Sequence, residues 1–242
     1  MNHKPAILFV LILISFHSLA QNTRSFLSVT GGYSLPVGEL AREKLDDPLA
    51  GLAGSGYFGQ ANYDFRVFRW LGLRFSGSMN INTTMSRPII EKADSYATLL
   101  GDTYTWQDKV STWKLNSALV GPAIYLNMNR VQLEAHVQAG KIWAGSPSVN
   151  LIGISNSGGE SINVDLKSAH TTAIGFGAGA SLRFPIIKNL FFQLNGDVIG
   201  AEAELKNVAI TARKGNTELV DKVNEKRFIG VVNVGAGFGL AF

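Results

Sequence analysis

Two sets of side chains in this sequence are of types that can do chemistry. Ser168, His170 and Glu204 supply a hydroxyl, an imidazole and a carboxylate. These are the types needed for a nucleophile, its general base and the group that orients the base. The second set is Asp64, Arg66, Arg74, Lys114, Glu134, His136, Arg183 and Asp197. Each of these sits at an alternate position between apolar neighbours, so all are expected on one side of a strand. If that side is enclosed, the charges must find partners, because an unpaired buried ion is costly. Arg74 or Arg183 with Glu134 is the expected ion pair. His136, mid-strand on the same side, reads as a core residue held by hydrogen bonds.

The elements that position these residues follow from a period of two. Eight alternating segments can be traced. The first places Leu27, Val29, Tyr33 and Leu35 opposite Ser28, Thr30 and Ser34, and the second places Tyr57, Ala61, Tyr63 and Phe65 opposite Gln60, Asn62 and Asp64. In the third, Leu71, Leu73, Phe75, Met79 and Ile81 oppose Arg74, Ser76, Ser78, Asn80 and Asn82. The fourth, from Trp113 to Tyr125, is read with Leu115 and Leu119 on the apolar face, although Val120 and Ile124 then interrupt the polar one. The fifth runs through Val131, Leu133, Ala135, Val137 and Trp143, the sixth through Ile174 to Phe184, and the seventh through Leu190 to Val198. The last shows Phe228, Val232, Val234, Phe238, Leu240 and Phe242, against Asn233 and glycines.

Bulk properties agree. Lys4, the apolar run Ala6 to Ile14 and Ser18-Leu19-Ala20 have the form of a secretory signal peptide covering residues 1–20, with the mature chain starting near Gln21. Removing it takes the formal charge from +4 to about +3. No basic stripe points to nucleic acid. There is no cysteine, hence neither a disulfide framework nor a lipidated N-terminal cysteine. After Ala20 nothing approaches eighteen continuous apolar residues, which argues against a membrane helix. Yet 46% of residues are hydrophobic, dispersed in alternation as in a membrane β-barrel. The connections alternate too: short after segments two, four and six, and roughly 20 residues or more after one, three, five and seven. Outward aromatics are expected in two belts, one holding Tyr33, Tyr57, Trp113, Trp143 and Phe228, the other Phe65, Phe75, Tyr125, Phe184, Phe192 and Phe242. The fold expected for residues 21–242 is all-β: an eight-stranded antiparallel transmembrane β-barrel with long extracellular hairpins. A ten-stranded barrel is the alternative, since the stretch from Thr84 to Lys109 can hold another hairpin.

The signal ending before Gln21, Gly31-Gly32-Tyr33, Gly121-Pro122-Ala123-Ile124-Tyr125 and the final Gly237-Phe238-Gly239-Leu240-Ala241-Phe242 resemble the small outer-membrane barrel proteins common in Bacteroidota, of the eight-stranded OmpA/OmpX type. The resemblance implies integral residence in the outer membrane with both termini periplasmic. It also implies recognition of Phe242 by the barrel-insertion machinery, and contact with outer-membrane lipids and lipopolysaccharide. No peptidoglycan-binding domain is expected after the closing strand.

Eight strands enclose a lumen that side chains can fill, so a plug of ion pairs is expected in preference to a narrow porin-like channel. The stretches 149–166 and 207–223 alternate around Gly- and Asn-containing turns and are expected to project as hairpins. A structural or surface-interaction role follows, with an extracellular protein or other surface ligand held by the loops. No cofactor or metal is expected: Asp94, Asp102 and Asp108 could touch calcium or the cation-bridged lipopolysaccharide surface, but form no Asp-x-Asp-x-Asp-Gly loop. By strand parity Ser168, His170 and Glu204 share the lipid-facing side, an arrangement that resembles outer-membrane lipid A deacylases. Their order and spacing differ from those enzymes, and one bulge would break the alignment. The expected role is therefore not enzymatic.

Overall fold

The computed structural model describes residues 24–43, 51–99 and 103–242. The expected signal segment 1–20, Gln21 and three loop acids and bases, Lys44, Asp46 and Asp102, lie outside the described residues. Eleven strands and one helix follow in order: β1 Ser25–Val37, β2 Ala53–Arg66, β3 Leu71–Thr84, α1 Arg87–Leu99, β4 Tyr104–Val110, β5 Trp113–Met128, β6 Val131–Gly145, β7 Val149–Ser155, β8 Ile162–Leu166, β9 His170–Ile187, β10 Leu190–Lys214 and β11 Thr217–Ala241. A 3-10 turn, Gly38–Ala41, follows β1.

Eight of the strands close a ring in the order β1-β2-β3-β5-β6-β9-β10-β11, and β11 pairs back to β1. All neighbours are antiparallel, and closure removes the open edges of the sheet. The ring has eight strands and not ten because the segment after β3 forms α1 and β4, and β4 pairs with β7 outside the ring. One rim, the turn end, carries the tight connections after β2, β5 and β9. At Asn129 the backbone takes a left-handed φ of 51°, which asparagine tolerates better than most residues. The other rim is the loop end.

A strand needs about 9–11 residues to cross a bilayer's hydrocarbon. β10 and β11, at 25 residues each, continue well past that and meet at Gly215. There β8 joins β10, β7 joins β8 and β4 joins β7. The result is a second, five-stranded sheet standing on the loop end, with β4 as its last strand.

The outer wall is apolar. Val29, Met79, Val137, Ile174, Val198, Val234 and Phe238 are all exposed on it. A continuous belt of that kind on a closed barrel is the surface that meets lipid. Tyr33 and Tyr57 meet as a tilted ring pair at 5.5 Å on the loop-end side, and Phe184, Phe192 and Phe238 form a chain on the turn-end side.

β5 reverses the expected assignment of faces. Val120, Ile124, Leu126 and Met128 point outward, while Trp113, Leu115, Leu119 and Tyr125 are buried inside. Lys114 therefore lies on the outer wall, not in the lumen. Trp113 and Tyr125 leave the two belts for the same reason. The lumen of the loop-end half is apolar, so this strand carries apolar residues on both faces and alternation cannot tell them apart.

Candidate functional site

The turn-end half of the lumen holds a connected set of charges. Asp64 on β2 is its hub: Oδ2 lies 2.5 Å from Arg183 Nη2 on β9, and Oδ1 lies 3.5 Å from Arg74 Nη1 on β3. Arg74 Nη1 also meets Glu134 Oε2 on β6 at 2.7 Å. Glu134 Oε1 is 3.0 Å from Nδ1 of His136, whose Nε2 is 3.1 Å from Asp197 Oδ1 on β10. All six side chains are almost completely buried. Arg74 is thus the cation beside Glu134, and Arg183 goes to Asp64 instead.

Amides and hydroxyls fill the remaining positions. Arg183 donates to Gln193 and Gln132, Asn195 donates to Asp197, and Ser76 donates to Gln138 at 2.7 Å. Such neighbours offset the desolvation that makes a buried ion expensive. Because Arg183 reaches Asp64, Arg74 reaches Glu134 and His136 reaches Asp197 from non-adjacent strands, the network ties β2, β3, β6, β9 and β10 across the lumen and fills it.

Below the network lies an aromatic and cationic layer that parity did not anticipate. Tyr125 stacks on Phe26 at 6.3 Å, and Phe26 meets Phe191 edge-on at 6.0 Å. The Arg183 guanidinium sits 4.7 Å from the Phe26 ring, and Arg66, half-buried at the mouth, is equally close. Cations over ring faces are favourable, more so when partly desolvated. The sequence signal was the Phe191-Phe192 pair: adjacent strand residues point to opposite faces, so one of the two had to enter the lumen. Arg227, also buried inside, was likewise not anticipated.

Toward the loop end the lumen changes character. Leu115, Leu119, Ile142, Ile199, Ala201, Leu205, Ile229 and Val231 form an apolar core under the projecting sheet. Trp113 caps it, with Nε1 donating to Gly51 O at 2.7 Å.

The nucleophile-base-acid set is not assembled. His170 and Glu204 line one groove on the outer wall, but Ser168 lies on the exposed link between β8 and β9 and does not line it. The Glu204 carboxylate is engaged by Lys206 Nζ at 3.1 Å.

In the projecting sheet, β4 donates its pairing groups to β7 on one side only. Trp106 Nε1 reaches Asp94 of α1 at 3.3 Å. Asp108 pairs with Leu151 across β7. At the hairpin tip Arg213 donates to Glu218 at 2.9 Å, and this bond holds the guanidinium's pKa above its usual value.

No family model matches the sequence, and no curated protein matches it. Among solved structures the fold is similar to Ail, the attachment invasion locus protein of Yersinia pestis, at a TM-score of 0.43 and 16% identity, over 89% of this chain and 99% of that one. It is similar to Neisserial surface protein A at 0.47 and 10%, over 90% and 97%. It is also similar to the outer membrane protein OprG from Pseudomonas aeruginosa at 0.41 and 10%, over 91% and 96%. The closed ring of eight antiparallel strands, its apolar outer belt and its filled lumen make this chain a transmembrane β-barrel of the outer-membrane type.

Proposed function

We propose that the chain resides in the outer membrane with its turn end and both termini in the periplasm, and acts at the cell surface through the sheet on its loop end. The observation that carries this reading is the contrast between a blocked lumen and a projecting sheet whose edge strand β4, among the described residues, is paired on one side alone. An edge strand presents free backbone donors and acceptors that an extended segment of another protein can pair with. β4 is that edge. The role is binding or adhesion, without catalysis. Conduction is disfavoured because Asp64, Arg74, Glu134 and Arg183 meet across the turn-end half of the lumen and are almost completely buried.

The test replaces residues 149–166 by a Gly-Ser linker of equal length, which removes β7 and β8 and leaves β4 without support. Expressing cells are then measured for retention on protein-coated surfaces and cell monolayers, with heat-modifiable migration confirming that the ring has formed. Retention is expected to fall to the level of cells lacking the protein. Equal retention by a correctly inserted variant would remove the sheet from the function. Planar-bilayer recordings are expected to show no conductance steps; stable steps would favour a porin.

A further inference from the structure

β9 and β10 keep one register from Phe191↔Pro185 to Ala201↔Gly175, part company there, and β8 resumes the pairing farther out. Ala201 pairs with Gly175 nearer the turn end. Farther out, Lys167 N donates to Ala209 O at 3.1 Å and Ile210 pairs with Leu166 of β8. Between these points residues 202–208 of β10 face residues 168–174, an equal number, yet among the described residues nothing pairs them. The wall therefore has a slit between backbones here, closed at both ends by pairing and filled by side chains, Ala169, Ala173, Ala203 and Leu205 among them. Its outer mouth is a groove of about 910 Å³ lined by Ile174, Phe176 and Phe228 on the membrane side and by Glu202, Glu204 and Lys206 beyond them. Phe228 and Trp143 are outward aromatics at this level, since Phe228 pairs with Glu202 and Trp143 with Thr172. The slit thus begins where hydrocarbon gives way to headgroups.

Directly behind this stretch of β10 is a cavity of about 130 Å³ under the projecting sheet. Trp113, Val149, Leu151, Val164, Leu205 and Val208 supply its apolar lining. Its few polar groups are already engaged: Trp113 Nε1 with Gly51, Thr84 Oγ1 with the Ser111 carbonyl, and Ser146 Oγ with the Ala169 amide. A dry, apolar cavity of roughly 150 Å³ is large enough to hold benzene, so this one fits an occupant of about that size without hydrogen-bonding groups.

We propose that this cavity is a binding site for small apolar molecules and that they reach it from the membrane through the slit between β9 and β10. No backbone pairing bars the slit, so movement of its side-chain filling alone would let a molecule pass from the lipid face to the interior without crossing the ion network. Solute and acyl chain share hydrocarbon chemistry, and the occupant is the small solute.

The test uses Trp113 as reporter, with Trp70, Trp106 and Trp143 changed to Phe and the full chain in phospholipid vesicles. Bromobenzene is expected to quench Trp113 saturably. Val208→Phe, or Val164→Phe as a second filling variant, is expected to abolish saturation. The chain has no cysteine, so Thr172→Cys with Glu204→Cys, facing residues across the slit, forms a unique disulfide that draws it shut. Oxidation is expected to slow quenching at least tenfold and reduction to restore it. Absence of saturable quenching in the parent overturns the proposal, as does saturation that survives in folded filling variants. An oxidised pair quenched at the parent rate overturns it too. So does equal quenching by tail-brominated phospholipid alone, which assigns the cavity to acyl chains. If neither filling variant folds, the disulfide arm decides.

Discussion

Around Asp64 the lumen is filled by charge, whereas around Ile229 it is filled by hydrocarbon. The two fillings constrain the ring differently. A buried ion is satisfied only by a partner at hydrogen-bond distance and angle, so Asp64, Arg74, Glu134 and Arg183 fix which strands face one another across the barrel. Apolar packing is less directional. It tolerates the change from ring to projecting sheet, and it tolerates the cavity beside Leu205. The turn end is where the barrel is specified, and the loop end is where it can accommodate.

The sharpest way to break that contrast is Asp64→Ala. It leaves Arg74 and Arg183 buried without their shared carboxylate and is expected to cost about 4 kcal/mol, as for other broken buried pairs. Urea unfolding in vesicles, followed by gel migration, measures it. Ile229→Ala in the apolar half is expected to cost about 3 kcal/mol in the same assay, by lost burial and an added void. A loss larger than that for Asp64→Ala would reverse the ranking of the two halves. A finer comparison is the double-mutant cycle of Asp64→Asn with Arg183→Gln. The pair is expected to cost about 2 kcal/mol less than the sum of the singles, because contacting residues are coupled. Additivity within error would mean that the network does not act as a unit. The smallest effect is expected at the hairpin tip, where Gly215 has a φ of 54°. Gly215→Ala should cost about 1 kcal/mol. Hydrogen exchange should show that cost in the β10–β11 tip alone, with the ring's unfolding midpoint unchanged.

Alternation alone placed the outward faces of seven ring strands, because in each of them one face is lipid and the other largely polar or small. It misplaced β5 because Leu115 and Leu119 inside and Val120 and Ile124 outside are equally apolar. The error carried Lys114 into the lumen and Trp113 and Tyr125 out of it. The network was legible as a set of inward charges, but the choice of partners was not: Asp64 and Arg183 are 119 residues apart, and their meeting depends on the tilt and closure of the whole ring. Parity also put His170 and Glu204 on one side. It failed for Ser168, which lies on a link where the two-residue period does not operate. The slit has no local signature at all. Residues 170–174 and 202–208 are ordinary strand sequence, and only their relation in space separates them.

Ring closure has a consequence for the order of assembly. β1 pairs with β11 from Phe26↔Ala241 to Val37↔Gly230, so the first strand of the ring is completed only by the last. Contacts that span almost the whole chain are intrinsically slow to form. Until that seam is made, the lumen is an open trough, and its carboxylates and guanidiniums remain hydrated. Zipping β1 to β11 is then the step that expels water from the charges. A nascent chain lacking β11 has neither a closed wall nor a reason to bury its ions, and it stays wet and edge-exposed until the final strand arrives.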